Sequence, residues 1–225
     1  MARFIGIIGD TGSGKTRSIV NLDPKSTIVI KVLGGKDLPF KESSKKYNAE
    51  NKNIFKIDEY DDLTAMLLNI DTNAKHVNTI VIDDMRFLMT KEFFSRATET
   101  GYGKFSVMGK NFQNILKLTE GMREELNIFG FFHDEDVLND RVIVAKKIKL
   151  VGKMVDDHYN PIEVMTIALW CKPTVTKDGV TYKFLTNRCL IDGVEIPAKS
   201  PEGMFEKIEI PNDLKLVLEA VKSYY

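Results

Sequence analysis

Short apolar runs alternate with amphipathic stretches along the first 133 residues of the chain. The runs lie at 4–8, 27–32, 54–57, 79–82 and 128–132. Between them, residues 63–70 and 106–126 carry apolar side chains at helical spacing. Because strands that alternate with helices build parallel sheets with right-handed crossovers, this half of the chain predicts a mostly parallel sheet flanked by helices.

A different pattern begins after His133, where strands follow one another with few helices between them. Residues 141–150 and 164–170 are expected to be strands, and Asp178-Gly179 is typical of the tight turn of a β-hairpin. Pro211-Asn212-Asp213 predicts the start of a C-terminal helix. The second half is therefore expected to extend the sheet with antiparallel strands.

Polar segments separate several elements of the first half. Gly34-Gly35 ends the second strand, and residues 41–53 are polar throughout, which indicates a mobile surface segment. Asp58 or Asp61 is expected to cap the helix that follows. These segments lie outside the predicted core, so they leave the sheet assignment unchanged.

Composition limits the class of protein. The chain has 225 residues, of which 43% are hydrophobic and 28% are charged, as in ordinary globular domains. Lys+Arg and Asp+Glu are both 32, so the net charge is zero and nucleic-acid binding would require a local basic patch. No apolar run approaches the ~18 residues of a membrane span. The two cysteines lack metal-site spacing, which favours a reducing cytoplasm.

The segment Gly9–Thr16 follows the first apolar run and fits G-x-x-x-x-G-K-[ST], the phosphate-binding P-loop. Its backbone N–H groups, together with the start of a helix expected at Thr16, would surround a phosphate. In this motif Lys15 contacts the β- and γ-phosphates, and the Thr16 hydroxyl ligates Mg²⁺. The expected cofactors are therefore ATP and Mg²⁺. The predicted cofactor-binding residues are Gly9, Asp10, Thr11, Gly12, Ser13, Gly14, Lys15, Thr16 and Arg17.

Two carboxylates end the fourth apolar run. Asp83 suits the Walker B role, in which it holds Mg²⁺ directly or through water from the end of a strand. Asp84 is positioned either to activate the attacking water or to act as a capping carboxylate. Glu59 and Glu135 are the other candidates for water activation. The sequence alone leaves this choice open.

His133 ends the strand that we expect beside the Walker B strand. There it is predicted to sense the γ-phosphate, although a histidine at a strand end is often only hydrogen-bonded. Ligands of parallel sheets bind at the carboxyl ends of the strands, where Gly9, Asp83 and His133 would meet. The acidic run Asp134–Asp136 is interpreted as a solvated loop rather than a metal site.

Basic and aromatic residues in the second half have two interpretations each. The basic cluster comprises Lys146, Lys147, Lys149 and Lys153. One interpretation is that it contacts a nucleic-acid backbone or donates a charge across a subunit interface. The other is that it forms the solvated face of an edge strand. Tyr102, Phe105, Tyr159 and Trp170 would stack on bases, or they belong to the core.

With these motifs placed, the chain resembles the bacteriophage-encoded RecA-like P-loop ATPases, the core-only group that includes single-strand annealing ATPases of the Sak type. The resemblance runs almost from end to end. It rests on G-D-T-G-S-G-K-T, N-L-D-P-K, V-L-G-G-K-D-L-P-F, T-I-V-I-D-D-M-R-F-L-M, H-D-E-D, G-K-M-V-D-D, Y-K-F-L-T-N, A-K-S-P-E-G-M-F and I-P-N-D-L. It implies a single RecA-like α/β P-loop domain over 1–225, with a nucleotide-binding βα core at 1–133. Residues 134–225 would form the β-rich extension and C-terminal helix.

The resemblance also implies a function. It implies an ATPase that acts with single-stranded DNA in phage recombination or replication, in the cytoplasm of a bacterial host. It further implies a ring or filament of identical subunits with ATP at the subunit interface, and a phage single-strand-binding protein as a further partner. A lysine of the neighbouring subunit would then reach the γ-phosphate. Lys199 is the first candidate for this role and Lys153 the second.

One departure from the RecA-like pattern keeps other functions open. The second strand, 27–32, ends without the catalytic glutamate that RecA-like recombinases usually carry there. Asp84 is then the default water-activating residue, and a nucleotide-gated assembly module with slow turnover is an alternative function. A small-molecule or nucleotide kinase is less favoured, because the arginines beyond the first helix are scattered rather than gathered in a lid.

Overall fold

A computed structural model describes residues 1–34, 37–156 and 158–225 and contains two sheets. The strands are β1 (Arg3–Ile8), β2 (Thr27–Lys31), β3 (Ile54–Lys56), β4 (Thr79–Asp83), β5 (Asn127–Phe132), β6 (Asp134–Asn139), β7 (Val142–Ile148), β8 (Ile167–Thr176), β9 (Gly179–Leu185), β10 (Cys189–Ile191), β11 (Val194–Ile196) and β12 (Glu209–Pro211). The α-helices are α1 (Ser43–Lys46), α2 (Tyr60–Asn73), α3 (Arg86–Ser95), α4 (Gly103–Leu118), α5 (Lys153–Asp156) and α6 (Leu214–Tyr224). Gly35, part of the predicted end of the second strand, lies outside the described residues.

The larger sheet has eight strands in the order β12-β9-β8-β1-β5-β4-β2-β3. Its six strands from β8 to β3 are mutually parallel, whereas β9 and β12 pair antiparallel at one edge. The predicted α/β class, a mostly parallel sheet flanked by helices with antiparallel strands added from the C-terminal half, is confirmed. β5 lies between β1 and β4, as expected for the strand that ends before His133.

Both faces of the larger sheet are covered, which explains why its central strands are apolar without alternation. On β1, Phe4 and Ile8 pack into the cluster that includes residues of α2, α3 and α4, while Ile5 and Ile7 pack into the cluster on the opposite face with α6. Asp213 caps α6 by accepting a hydrogen bond from the Lys215 N–H at 2.9 Å, as the sequence predicted. Among the described residues, no helix has the length and apolar character needed to cross a bilayer.

Three local expectations differ from the structure. The helix after the P-loop is a six-residue 3₁₀ helix, Thr16–Asn21, which ends just before the turn at Leu22–Lys25. Residues 41–53 contain α1, with Ser43 and Tyr47 buried. The N-cap of α2 is Glu59, without a side-chain capping bond, because the Asp58 carboxylate accepts a hydrogen bond from Lys91 at 2.8 Å instead. A tertiary ion pair therefore replaces the local cap.

The smaller sheet has the order β10-β11-β7-β6 and begins directly after His133. The predicted acidic loop is wrong, because Asp134–Asp136 form the start of β6. In the antiparallel ladder Glu135 lies opposite Lys147, and Asp136 lies opposite Lys146. Opposite charges on facing positions stabilise a strand pair, so the two charged runs hold each other in a hairpin.

Candidate functional site

A cleft of about 540 Å³ opens at the carboxyl ends of β1, β4 and β5. This is the edge of a parallel sheet at which ligands bind, and the volume is within the usual range for ligand sites. The cleft is lined by Asp10, Thr11, Gly12, Gly14, Lys15, Thr16, Arg17, Lys31, Leu33, Asp37, Leu38, Pro39, Asp83, Asp84, Arg86, Phe87, His133, Asp134, Lys149 and Tyr182. The structure therefore brings the P-loop, both aspartates and His133 to one place.

The P-loop wraps around the side chain of Lys15. The Lys15 Nζ donates to the carbonyl oxygens of Gly9 at 2.5 Å and Asp10 at 2.9 Å, and the side chain is buried. Burial lowers the pKa of Lys15, and the carboxylates of Asp84 and Asp83 partly oppose this effect. Gly12 and Gly14 have φ of 77° and 98°, a region that glycine adopts without strain. The loop thus presents a cation inside a turn of backbone N–H groups.

Thr16 and Asp83 form the candidate magnesium pair. The Thr16 hydroxyl lies 3.1 Å from Oδ2 and 3.2 Å from Oδ1 of Asp83, and both residues line the cleft. Burial, followed by the nearby charge of Asp84, raises the pKa of Asp83 to about 6. A hydroxyl beside a buried carboxylate fits Mg²⁺, which keeps several waters and takes few protein ligands. The described residues contain no group of three His, Cys, Asp or Glu side chains placed to hold a metal.

Asp84 and His133 form a second pair beside the first. The His133 Nε2 lies 3.1 Å from Oδ1 of Asp84, and the edge of the Phe87 ring meets the imidazole at a centroid distance of 6.4 Å. Asp84 has φ of 64°, a left-handed conformation that is uncommon outside glycine. Strained backbone of this kind is often found at functional sites. The turn directs the carboxylate of Asp84 to the cleft rather than back along α3.

The three candidates for water activation are placed differently. Asp84 lines the cleft. Glu59 is an exposed residue whose carboxylate accepts from Lys91 at 2.6 Å, and Glu135 pairs with Lys147 at 3.3 Å on the hairpin. Neither glutamate lines the cleft. The geometry therefore favours Asp84 for this role, which remains a prediction.

Three cations line the same cleft that the sequence did not assign to it: Lys31, Arg86, and Lys149, which was placed in the basic cluster instead. Lys31 ends β2 in register with Asp83, so the position that lacks the recombinase glutamate holds a lysine instead. Arg86 begins α3, and its Nε is a buried donor without a hydrogen-bond partner among the described residues. An unpartnered buried donor in a cleft fits a phosphate oxygen. Strand-end positions were the available signal for Lys31.

Tyr182 of β9 is a further cleft residue that sequence reasoning missed. A Cβ on Gly14 would lie 2.6 Å from the Tyr182 ring, so only glycine fits there. The Arg17 guanidinium carbon lies 5.4 Å from the ring centroid, within cation–π range. The antiparallel extension thus supplies an aromatic face to the P-loop. No local sequence signal links residue 182 to the loop, because their proximity depends on the order of strands.

Other predicted site residues lie elsewhere. Lys199 pairs its backbone with Ala168 beside β8, and Lys153 starts α5; neither lines the cleft of its own chain. Of the aromatic candidates, Trp170 is buried and donates to Asp134 at 3.1 Å, whereas Tyr102 is 77% exposed. Tyr159 and Phe105 pack against the core.

A P-loop motif, an aspartate at the end of β4 beside Thr16, and a parallel run of strands in the order β8-β1-β5-β4-β2-β3 define the class of protein, an α/β P-loop fold. Comparison with solved structures finds similarity to a KaiC-like protein of the hyperthermophilic archaeon Pyrococcus horikoshii OT3. That match has a TM-score of 0.49 and 12% identity, and it covers 82% of this chain and 77% of the other. No family model and no curated protein matches the chain. The geometry of the cleft is therefore the basis for assigning a function.

Proposed function

We propose that the protein is an ATPase whose turnover is coupled to single-stranded DNA. The observation that carries the ATPase proposal is the pairing of Thr16 with Asp83 directly beside the pair of Asp84 and His133. The first pair suits a magnesium nucleotide, and the second suits a water that attacks the γ-phosphate. Phosphoryl transfer requires chiefly such positioning and charge neutralisation.

Each group then has a separate task. Lys15 exchanges its two carbonyl partners for phosphate oxygens, and the Thr16 hydroxyl with Asp83 holds Mg²⁺, which neutralises phosphate charge when bound. Asp84 orients the attacking water and accepts its proton. His133, hydrogen-bonded to Asp84, keeps that carboxylate in place and links it to the end of β5.

ATP turnover by wild-type protein and by Asp84→Asn tests this assignment. We expect the variant to lose about 100-fold or more in kcat while it still binds ATP·Mg²⁺, because general-base catalysis typically contributes this much. Glu59→Gln and Glu135→Gln are the matched controls, since both carboxylates lie outside the cleft. Unchanged turnover in Asp84→Asn, or a loss in either control, would assign the base elsewhere.

Tyr182 is proposed to bind the base of the nucleotide. Its ring packs on Gly14 with Arg17 near it, which provides an aromatic surface next to the phosphate site. Base–aromatic stacking contributes ~1–3 kcal/mol. Tyr182→Ala should therefore raise KM for ATP about tenfold with little change in kcat, while Tyr182→Phe should restore binding. Equal KM values for the three proteins would exclude Tyr182 as the base contact.

DNA coupling is supported by an aromatic corner between α3 and α4. The corner consists of Phe93, Phe94, Tyr102, Lys104 and Phe105. Phe94 is 68% exposed and Tyr102 is 77% exposed, and the Lys104 Nζ lies 5.8 Å and 5.6 Å from the two stacked rings of Phe93 and Phe105. Exposed aromatics near a cation fit unstacked bases and their phosphates.

The corner is favoured over the lysine cluster for a charge reason. Two of the cluster's four lysines, Lys146 and Lys147, are paired with carboxylates of β6 and α5, so their charges are largely neutralised, and Lys149 lines the P-loop cleft instead. In contrast, α3 runs from the turn at Asp84 to the aromatic corner. A strand bound at the corner would therefore be connected to the water-activating residue by a single helix.

Turnover with and without oligo(dT) tests the coupling. We expect single-stranded DNA to stimulate wild-type turnover and to bind more weakly as salt rises. Phe94→Ala/Tyr102→Ala should lose the stimulation but keep basal turnover, whereas Tyr224→Ala, which removes an exposed aromatic on α6, should retain both. Stimulation that survives in the corner variant would mean that the DNA binds elsewhere. Absence of stimulation in the wild-type protein would contradict the proposed coupling.

We also propose that the protein forms a homo-oligomer, a ring or filament with ATP between subunits. Lys199 is the first candidate, and Lys153 the second, for a lysine that contacts the ATP of the neighbouring subunit. A phage single-strand-binding protein is proposed as a further partner. Neither lysine lines its own cleft, which is compatible with a contribution to a neighbour. Light scattering with ATP should show the assembly. Mixing Lys199→Ala with Lys15→Ala protein should partly restore turnover if Lys199 acts in trans, because mixed interfaces regain one complete site.

A nucleotide-gated assembly module is the second candidate function. The observation that favours it is Lys31, which occupies the strand end where a catalytic glutamate is absent. A lysine there would hold phosphate rather than activate water. Near-zero turnover together with ATP-dependent assembly would select this function over the ATPase.

A further inference from the structure

A second cavity, of about 670 Å³, lies at the edge of the larger sheet opposite the P-loop cleft. It is bounded by the turn before β2, the segment 41–53 and the end of α2. The residues that line it are Pro24, Lys25, Thr27, Ile28, Lys45, Lys46, Asn51, Lys52, Asn53, Phe55, Met66, Asn69, Ile70, Ala74, His76 and Val77. None of them belongs to the P-loop cleft.

The charge of this cavity is of one sign. Four lysines and His76 line it, and the described lining residues include no carboxylate. Lys45 pairs with Glu42 at 2.8 Å, whereas Lys25 and Lys52 have no ion pair within the described part of the chain. The nearby Asp23 carboxylate is engaged in its own turn, where it accepts from Lys25 N–H at 3.0 Å and the Ser26 hydroxyl at 3.3 Å. The ammonium groups of Lys25 and Lys52 are therefore without an ion-pair partner among the described residues.

The wall of the cavity is apolar. Ile28, Ile70 and Val77 are buried beneath it, and Phe55 and Met66 are partly exposed at its surface. Amide side chains of Asn51 and Asn69 complete the lining. An apolar wall next to several cations, with a few polar groups, is the usual composition of a site for a small charged ligand.

The segment 41–53 is held in place by buried amide contacts. Asn53 is buried, donates to the carbonyls of Pro24 at 3.0 Å and Lys46 at 2.8 Å, and accepts from Asn48 N–H at 3.0 Å. The Lys46 Nζ donates to the carbonyl of Val20, in the 3₁₀ helix that follows the P-loop. A polar surface segment thus forms a defined wall, and that wall contacts the 3₁₀ helix after the P-loop directly.

We propose that this cavity binds a mononucleotide-sized phosphorylated ligand, either a free nucleotide or the 5′-phosphorylated end of a strand. Lys25 and Lys52 hold the phosphate as point charges, and the base lies against Phe55 and Met66. The volume lies within the usual range for small-ligand sites. The site is separate from the P-loop cleft and does not depend on ATP hydrolysis.

Two histidines allow the sites to be observed separately. His76 lines the second cavity and His133 lines the P-loop cleft. The probes are ADP, 5′-phosphorylated dT5, dT5 without the phosphate, and inorganic phosphate. Binding of ADP·Mg²⁺ at the P-loop should shift the imidazole resonances of His133, whereas ligand in the second cavity should shift those of His76. Failure of one site therefore leaves the other readout intact.

The variant Lys25→Ala/Lys52→Ala tests the cavity directly. We expect it to weaken the response of His76 at least tenfold while the response of His133 is unchanged, since each lost charged hydrogen bond costs about a factor of ten. Lys177→Ala, in the exposed β8–β9 turn, is the matched control and should leave both responses unchanged. A response to ADP indicates the free nucleotide, and one that requires the 5′-phosphate of dT5 indicates the strand end. No shift of His76 with any probe, or a shift insensitive to the two lysines, would overturn the proposal.

Discussion

The P-loop cleft and the β6–β7 hairpin hold similar kinds of charged residues but use them differently. In the cleft, Lys15 and Asp83 are both buried, and the partners of Lys15 are backbone carbonyls rather than carboxylates. In the hairpin, Lys146 and Asp136 are opposite each other and joined at 2.5 Å. A charged side chain that is hydrogen-bonded to neutral groups can exchange them for a charged ligand. A charged side chain that is paired across strands is already neutralised. The two regions therefore differ in whether their charged side chains are available to bind a ligand, and not in how many charges their sequences contain.

Replacing one lysine in each region should give the largest contrast. Lys15→Ala should weaken binding of ATP·Mg²⁺ by about 100-fold or more, because two charge-assisted bonds to phosphate are lost. Lys147→Ala should leave the affinity unchanged within about twofold. Titration calorimetry at one ionic strength measures both. Equal losses in the two variants would mean that the cleft attracts the nucleotide by general charge rather than through the P-loop lysine.

The two cysteines sharpen the comparison, because one lies against the P-loop and the other lies in the smaller sheet that contains the hairpin. Cys171 is buried under the P-loop, and burial raises its pKa to about 12, while Cys189 of β10 is only partly buried. Because the thiolate is the reactive form, Cys189 should react with a disulfide reagent at pH 8 about 100 times faster than Cys171. Reaction kinetics of the single variants Cys171→Ser and Cys189→Ser assign the two rates. Fast reaction of Cys171 would mean that the P-loop opens often.

Asp83 should carry a cost for stability that Asp136 does not. Burial raises the pKa of Asp83 to about 6, so its ionised form destabilises the fold above that pH. Without magnesium at pH 7.5, Asp83→Asn should therefore raise the free energy of unfolding by about 1–2 kcal/mol. The gain should shrink as the pH falls through 6 toward 4, where the native carboxyl becomes protonated. Denaturant titrations measure it.

Asp136→Asn is the control for that experiment, since its carboxylate is paired and exposed. It should lower the free energy of unfolding slightly or leave it unchanged. If Asp83→Asn destabilises the metal-free protein instead, then the bond from Thr16 outweighs burial of the charge. The cleft would in that case resemble the hairpin in how it satisfies its carboxylate.

Much of the site could be predicted because strand ends are visible in the sequence. Buried parallel strands read as continuous apolar runs, and the residues that follow them, such as Asp83 and His133, must meet at one edge of the sheet. The P-loop added a local motif with a defined chemistry. The order of strands then brought these residues to one cleft, as expected.

Other parts of the molecule depend on contacts that no local pattern encodes. Tyr182 reaches Gly14 because β9 is folded back beside β8, and the run 134–136 becomes a strand because lysines lie opposite it in β7. Alone, that acidic run has the composition of a loop. Asp58 likewise leaves its predicted capping role for Lys91, which lies 33 positions away in the sequence. In each case the partner, and not the segment, decides the outcome.

The smallest expected effect is the coupling within the hairpin itself. Lys146 and Asp136 are partly exposed, so a double-mutant cycle with Lys146→Ala and Asp136→Ala should give a coupling free energy of about 0.3–1 kcal/mol. The coupling should fall as salt is raised, because the pair is screened by solvent ions. A value above about 2 kcal/mol that is insensitive to salt would show that the pair behaves as a buried one. The charged pairs of the hairpin would then be required for its folding. Their removal would alter the fold around His133 rather than only a surface strand.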